Sequence, residues 1–263
     1  MIREPAFSGS FYPSDPNELR SLASRFVQQA SLAEPQGILR GLVVPHAGYR
    51  YSGAIAGSAY KLLQASANGI GRVLLLGPSH QTFFTGIALS HAVSFRTPLG
   101  ELPIDPELRQ VVSVLPGVLE LESAHAQEHS LEVQFPFLQV SIGDVAILPL
   151  VVGHCDYELV SSLIFRCFDV FSDLLVIVSS DLSHYLSYRD AQRCDADTEQ
   201  MIHHTESNIE PAQACGYFPL NGLLDVVRKQ EWKIQTLDVR NSGDTSGDRS
   251  RVVGYGAFAI WEK

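Results

Sequence analysis

"RVLLLGPSH", residues 72–80, decides the fold. Four apolar residues run without alternation between an arginine and a Gly-Pro pair, the pattern of a strand buried on both faces. Three more runs read the same way: "LRGLVVP" (39–45), "DVAILPLVVG" (144–153) and "LLVIVSS" (174–180). Strands covered on both faces belong to a mostly parallel sheet, which needs crossover connections, usually helices. Suitable helices lie between them at 53–66, 130–140 and 156–171. Pro136 is placed to kink the second, and Asp156 to cap the third. Further helices are expected at 190–205 and 219–229, and a closing strand in "VVGYGAFAIWEK" (252–263). Nothing reads as a linker, repeat or low-complexity tract. The alternation predicts an α/β fold, a single three-layer α/β/α domain over 1–263 with a mostly parallel central sheet.

A hydrophobic fraction of 45% in 263 residues is enough for such a core. The net charge of −10 argues against nucleic acid and anionic membranes as partners, since both call for clustered Lys and Arg. No window nears the roughly 18 apolar residues of a membrane helix. The opening "MIREPAFSGSFYPSDP" has no hydrophobic signal region. The four cysteines, Cys155, Cys167, Cys194 and Cys215, form no CxxC pair. A reduced, cytoplasmic protein is the expectation.

Histidines fall where these strands run out. His46 follows the first in "VVPHAGY", His80 the second in "LLLGPSH", and His184 the last in "SSDLSHY". Open α/β sheets bind ligands beyond the carboxyl ends of their strands, so the three should converge on one crevice. His129, at the start of a helix in "EHSLE", is placed to reach the same rim. A lone histidine in a glycine loop is more often structural, but three in equivalent positions form a pattern. His91, His125 and His154 lack that context. His203 and His204 are adjacent in a helix, point in different directions, and read as surface residues. Neutral imidazoles are good ligands for borderline metals, and an anionic third ligand would complete an open site. Cys215, Asp181 and Glu128 are all candidates for it. Tyr49 and Tyr51 either line the mouth of the pocket or pack against the helix that follows.

"PHAGYRYSG", "LLGPSH", "FRTPLG", "EHSLEVQFPFL" and "VSSDLSH" occur in this order over about half the chain, with "FSGSFYP" before them and "CGYFPLNGLL" after. As an ordered set they resemble the Memo family, whose fold is similar to class III extradiol dioxygenases of the LigB type. The resemblance implies a metal site of His46, His80 and Cys215, with His129, Asp181 and His184 as the remaining, catalytic positions. In the related dioxygenases a histidine in the place of His184 is the acid/base, and the third iron ligand is a glutamate. Cys215 departs from that carboxylate, and a soft thiolate moves metal preference toward copper or zinc. Asp181, three residues before His184, is expected to set the tautomer of that ring.

The expected cofactor is a divalent or redox metal ion, iron first, with copper or zinc as alternatives. The expected partner is a small-molecule or peptide ligand. Three functions fit the ligand set: a metal-dependent, dioxygenase-like oxidoreductase, a non-catalytic metal-handling or peptide-binding adaptor, and a zinc-type hydrolase in which His184 or Glu128 activates water.

Overall fold

In the computed structural model, which describes residues 1–143 and 145–263, the chain opens with β1 (Ile2–Arg3) and α1 (Pro16–Gln29). Asp15 starts α1 by accepting the backbone N–H groups of Asn17 and Glu18, and Pro16 occupies the first turn, where no N–H is missed. Leu19, Ala23 and Val27 recur every four residues and form its buried stripe. Next come β2 (Ile38–Val44), α2 (Tyr49–Ala65) and β3 (Arg72–Pro78). An excursion of short elements follows: β4 (Ile87–Leu89), β5 (Ser94–Thr97), β6 (Gly100–Pro103), α3 (Pro106–Ser113), β7 (Val118–Glu120) and α4 (Glu122–Ala126).

The chain re-enters the main layers through α5 (His129–Glu132) and α6 (Phe135–Ser141). It continues through β8 (Ala146–Val152), α7 (Tyr157–Val170) and β9 (Leu174–Ser179). The last elements are β10 (His184–Leu186), α8 (Tyr188–His203), α9 (Tyr217–Lys229), β11 (Lys233–Asn241), α10 (Ser242–Thr245) and β12 (Val252–Glu262).

The large sheet runs in the order β10-β12-β2-β9-β3-β8-β4-β7, with β11 also paired to β12. Its centre, β2-β9-β3-β8, is parallel throughout, as the uninterrupted apolar runs predict. Its flanks are not: β12 is antiparallel to β2, and β4 to β8. A separate small sheet joins β1, β5 and β6.

Alternate residues of the central strands feed two cores. Leu42, Leu75 and Ile177 pack on one face with Ile55 and Leu62 of α2, while Val43, Leu74 and Val176 pack on the other with Leu163 of α7 and Leu223 of α9. This makes the three layers.

Two local expectations need correction. The helix expected at 130–140 is two short helices, and Pro136 lies in the first turn of α6, where its missing N–H is tolerated; it starts a helix rather than kinking one. Asp156 holds the cap position of α7 but its side chain makes no capping hydrogen bond. Asp144, where a strand was expected to begin, lies outside the described residues.

Candidate metal centre

His46 and His80 each lie two residues past a central strand, β2 and β3, and Asp181 two past β9. His184 opens β10, which pairs with β12. Parallel β2, β9 and β3 therefore deliver His46, Asp181 and His80 to one edge of the sheet. Cys215 comes from the loop before α9. Its backbone N–H donates to the Asp181 carbonyl (3.3 Å), and the next N–H, of Gly216, donates to Ser180 Oγ (2.9 Å). A Cβ on Gly216 would sit 2.7 Å from the Cβ of Ser180, so only glycine lets this loop reach the sheet edge.

The orientation of His46 is fixed by donor counting. Ser179 Oγ donates its one hydrogen to the Ser130 carbonyl (2.6 Å) and accepts one from Gln134 Nε2 (2.9 Å). The amide of Gln134 is itself oriented, giving its other hydrogen to the Pro45 carbonyl (3.0 Å) and receiving the Tyr60 hydroxyl at Oε1 (2.9 Å). Ser179 can then only accept from His46 Nδ1, 3.0 Å away. Nδ1 carries the proton, and Nε2 presents a lone pair to Cys215 Sγ at 3.2 Å.

Glu128 does the same for His80. Its two oxygens accept the backbone N–H (2.6 Å) and the ring Nδ1–H (2.8 Å), leaving Nε2 as the free nitrogen. The carboxylate is held in turn by the Ser130 backbone N–H (2.8 Å). One ligand-type atom from each of His46, His80 and Cys215 lies within 4.8 Å of the other two. His80, Glu128 and His129 form a second such group, but Glu128 is already committed to His80. His129 stacks on His80 (centroids 4.5 Å apart, planes at 27°), and Phe11 covers it at 4.7 Å.

Burial governs protonation here. It drives the pKa of His46 well below the usual imidazole value, with repulsion from the neighbouring rings adding to the shift. It lowers His129 to about 4 and lowers His184 as well. It pushes the Cys215 thiol well up, assisted by the charge of Asp181. Asp181 is raised to about 7 by burial, against the opposing hydrogen bonds from the His46 and Ala47 backbone. Burial also acts upward on Glu128, but the hydrogen bond and charge of His80 and the backbone donors outweigh it and hold the carboxyl low. Near neutral pH these shifted imidazoles are lone-pair donors, and the sulfur stays protonated unless a cation binds beside it.

All six expected site residues gather at this edge. His46, His80, His129, Asp181 and His184 line one cavity of about 760 Å³, and Cys215 meets His46 Nε2 at 3.2 Å without lining it. His80 also borders a smaller cavity of about 360 Å³, which Cys215 lines. The expected Asp181–His184 pairing is absent among the described residues. Asp181 Oδ1 instead accepts the His46 backbone N–H at 2.7 Å, so it anchors the β2 loop. Tyr51 lines the cavity, whereas Tyr49 is buried and donates its hydroxyl to the Val133 carbonyl (2.8 Å). His203 and His204 are exposed, as expected.

Residues 3–259 match the family described as Memo-like protein. The chain belongs to the Memo family. A MEMO1 family protein of Sulfolobus acidocaldarius is 35% identical, the alignment covering 97% of this chain and 98% of that one. MEMO1 family protein TV1383 of Thermoplasma volcanium is 34% identical with 98% of each chain covered, and the MEMO1 family protein of Aquifex aeolicus 35% with 97% of each. Among solved structures, an uncharacterized protein, JW3007, from Escherichia coli K12 superposes with a TM-score of 0.57 at 13% identity, covering 84% of this chain and 99% of that one. At that identity the likeness is one of fold. Within this Memo-family site, sequence reasoning missed Ser179 and Gln134, which orient His46, and Phe11, which walls in His129. The order Ser-Ser-Asp at the end of an apolar strand was the available signal for Ser179.

Among the described residues, no helix is long and apolar enough to cross a membrane.

Proposed function

We propose that this Memo-family protein holds one transition-metal ion between His46, His80 and Cys215, and uses it in an oxidoreductase reaction on a small molecule bound in the adjoining cavity. The carrying observation is the convergence of two tautomer-fixed imidazoles and a thiol, each with its lone-pair atom turned to one point. Iron is the first expectation, from the resemblance to extradiol dioxygenases, and copper the second. When bound, such an ion supplies Lewis acidity and a redox couple, at one net positive charge if divalent beside a thiolate.

The chain's own side chains do the rest. Ser179 and Glu128 keep Nε2 of each ligand ring unprotonated. His184 and His129 face the cavity as neutral imidazoles, able to take a proton from a bound molecule. Phe11 shields the ring of His129 from water.

A second reading, metal handling without turnover, is favoured by the soft sulfur ligand, which suits copper(I). A zinc-type hydrolase with His184 or Glu128 as base is weaker, because Glu128 is committed to His80.

Elemental analysis of protein purified without oxygen or chelator tests the proposal. Stoichiometric ferrous iron supports the oxidoreductase, copper(I) metal handling, and zinc the hydrolase. His184→Ala should keep its metal and lose about 100-fold in turnover. Loss of metal in that variant would make His184 a ligand and overturn these roles.

A further inference from the structure

We infer that the cavity beside the metal centre is built for a small organic anion, whose carboxylate or phosphate group is held by Arg50 and Arg251 while its other end faces His46 and His80. This deepens the proposed function and rests on its reading of the cavity as a small-molecule site.

The first observation is the charge lining the cavity. Arg50 and Arg251 both line the space of about 760 Å³ shared by His46, His80, His129 and His184. The protein carries a net charge of −10, and seven of its arginines, among them Arg40, Arg72, Arg96 and Arg109, are each held by a carboxylate. Among the described residues, neither Arg50 nor Arg251 has a carboxylate partner. Two unpaired cations in an acidic protein, on the wall of its candidate site, select for a negative ligand.

The second observation is how they are held. The guanidinium of Arg50 lies 5.7 Å from the ring centre of Tyr51, and that of Arg251 lies 5.3 Å from Tyr185. Both rings line the same cavity. A guanidinium resting on an aromatic face keeps its N–H fork free, the geometry suited to a planar oxyanion. Tyr185 is held in the left-handed backbone region (φ 58°), a conformation disfavoured for a tyrosine and kept here beside His184.

The remaining charges offset this pair only in part. Asp248 also lines the cavity and keeps its charge, but it is one carboxylate against two guanidinium groups, and its Oδ1 is turned to the Ser250 backbone N–H (2.9 Å) and hydroxyl (2.8 Å). Asp181 is buried against the His46 backbone. The N-terminus of α2 enters the same wall through Gly48, which offers its first turn no capping side chain, so its partial positive charge adds to that of Arg50.

Calorimetric titration of the whole protein with benzoate, phenyl phosphate and neutral benzamide tests the inference. At least one anion should bind tenfold or more tighter than benzamide, and the better of the two identifies the group as carboxylate or phosphate. The double variant Arg50→Gln/Arg251→Gln should bind all three alike. Arg166→Gln, the same charge change on the exposed side of α7, should leave the preference intact. Equal binding of anions and benzamide by the unaltered protein, including no binding of any, overturns the inference, as does a preference that survives in the double variant. The titration is run on metal-free and metal-loaded protein, and metal content is measured in parallel. A chain that takes up no metal but still prefers the anion refutes the metal centre alone. One that binds metal without the preference refutes the anion site alone.

Discussion

Glu128 grips His80 at two points, one carboxylate oxygen on the backbone N–H at 2.6 Å and the other on ring Nδ1 at 2.8 Å. The residue is almost fully buried, so the contact is not diluted by water. It fixes both the position of the loop after β3 and the ring nitrogen that faces His46.

Glu128→Gln should therefore weaken metal binding by about 10–100-fold without removing a ligand, the usual effect of losing the partner that orients a ligating histidine. Competition against a chelator of known affinity measures it. An unchanged affinity would mean that His80 is oriented by its loop alone.

Cys215→Ser should cost the protein most of its metal, because a hydroxyl is a far poorer ligand than a thiolate for a soft or borderline ion. Cys167→Ser, on the buried face of α7, removes no ligand and should keep full occupancy. Equal occupancy in the two variants, by elemental analysis, would take Cys215 out of the site.

Glu132 ties the amino-terminal segment to the body. It accepts hydrogen bonds from the backbone of Ala6 (2.9 Å) and Phe7 (2.8 Å) and from the Tyr12 hydroxyl (2.6 Å), and it pairs with buried Arg3. Glu132→Ala strands a buried guanidinium and should cost about 3–5 kcal/mol in urea unfolding. It should also loosen Phe7 and Phe11 from His129, seen as faster amide exchange in residues 4–12. A loss below about 1 kcal/mol would show that the pair is replaceable.

His125 should make the protein acid-sensitive. It is buried, donates Nε2–H to the Ala88 carbonyl (3.0 Å), and has its pKa lowered to about 4, chiefly by burial. Above the unfolded value near 6.5 the ring is neutral in both states and contributes no pH dependence. Below it the unfolded chain takes up the proton first, so stability falls as pH drops from about 6.5 to about 4, by about 3 kcal/mol in all. His125→Gln, unfolded in urea at pH 7, 5 and 4 without metal, should lose that much less than the unaltered protein. Parallel losses would exclude His125 as the source.

The central strands and the positions of His46, His80 and His184 are legible in the sequence because a parallel strand is apolar along its whole length and its end is abrupt. The antiparallel flank is harder to read. In "KIQTLDVRN" of β11 every residue from Ile234 to Arg240 is half-buried, so no clean alternation marks the strand. The strands of the small sheet are two to four residues long, too short for any period to register. At the site, ligand-type residues announce themselves by chemistry, but the residues that orient them do not. Ser179, Gln134 and Glu132 are ordinary polar residues until the fold places a donor or acceptor opposite each. Asp181 is the converse case: its nearness in sequence to His184 suggested a partner, whereas the turn after β9 aims the carboxylate at His46 instead.

β12 lies between β10 and β2, yet it follows every candidate ligand along the chain. A polypeptide is made amino-terminal end first, so His46, His80 and Cys215 are all in the chain before the strand that flanks β2 has been made. Until then β2 is an edge strand, His184 has no neighbour to pair with in β10, and the Tyr255 wall of the cavity does not exist. The nascent chain thus carries the donor atoms without the pocket. Whatever binds between them meets a finished, sheltered cavity only after the late strand has paired with β2.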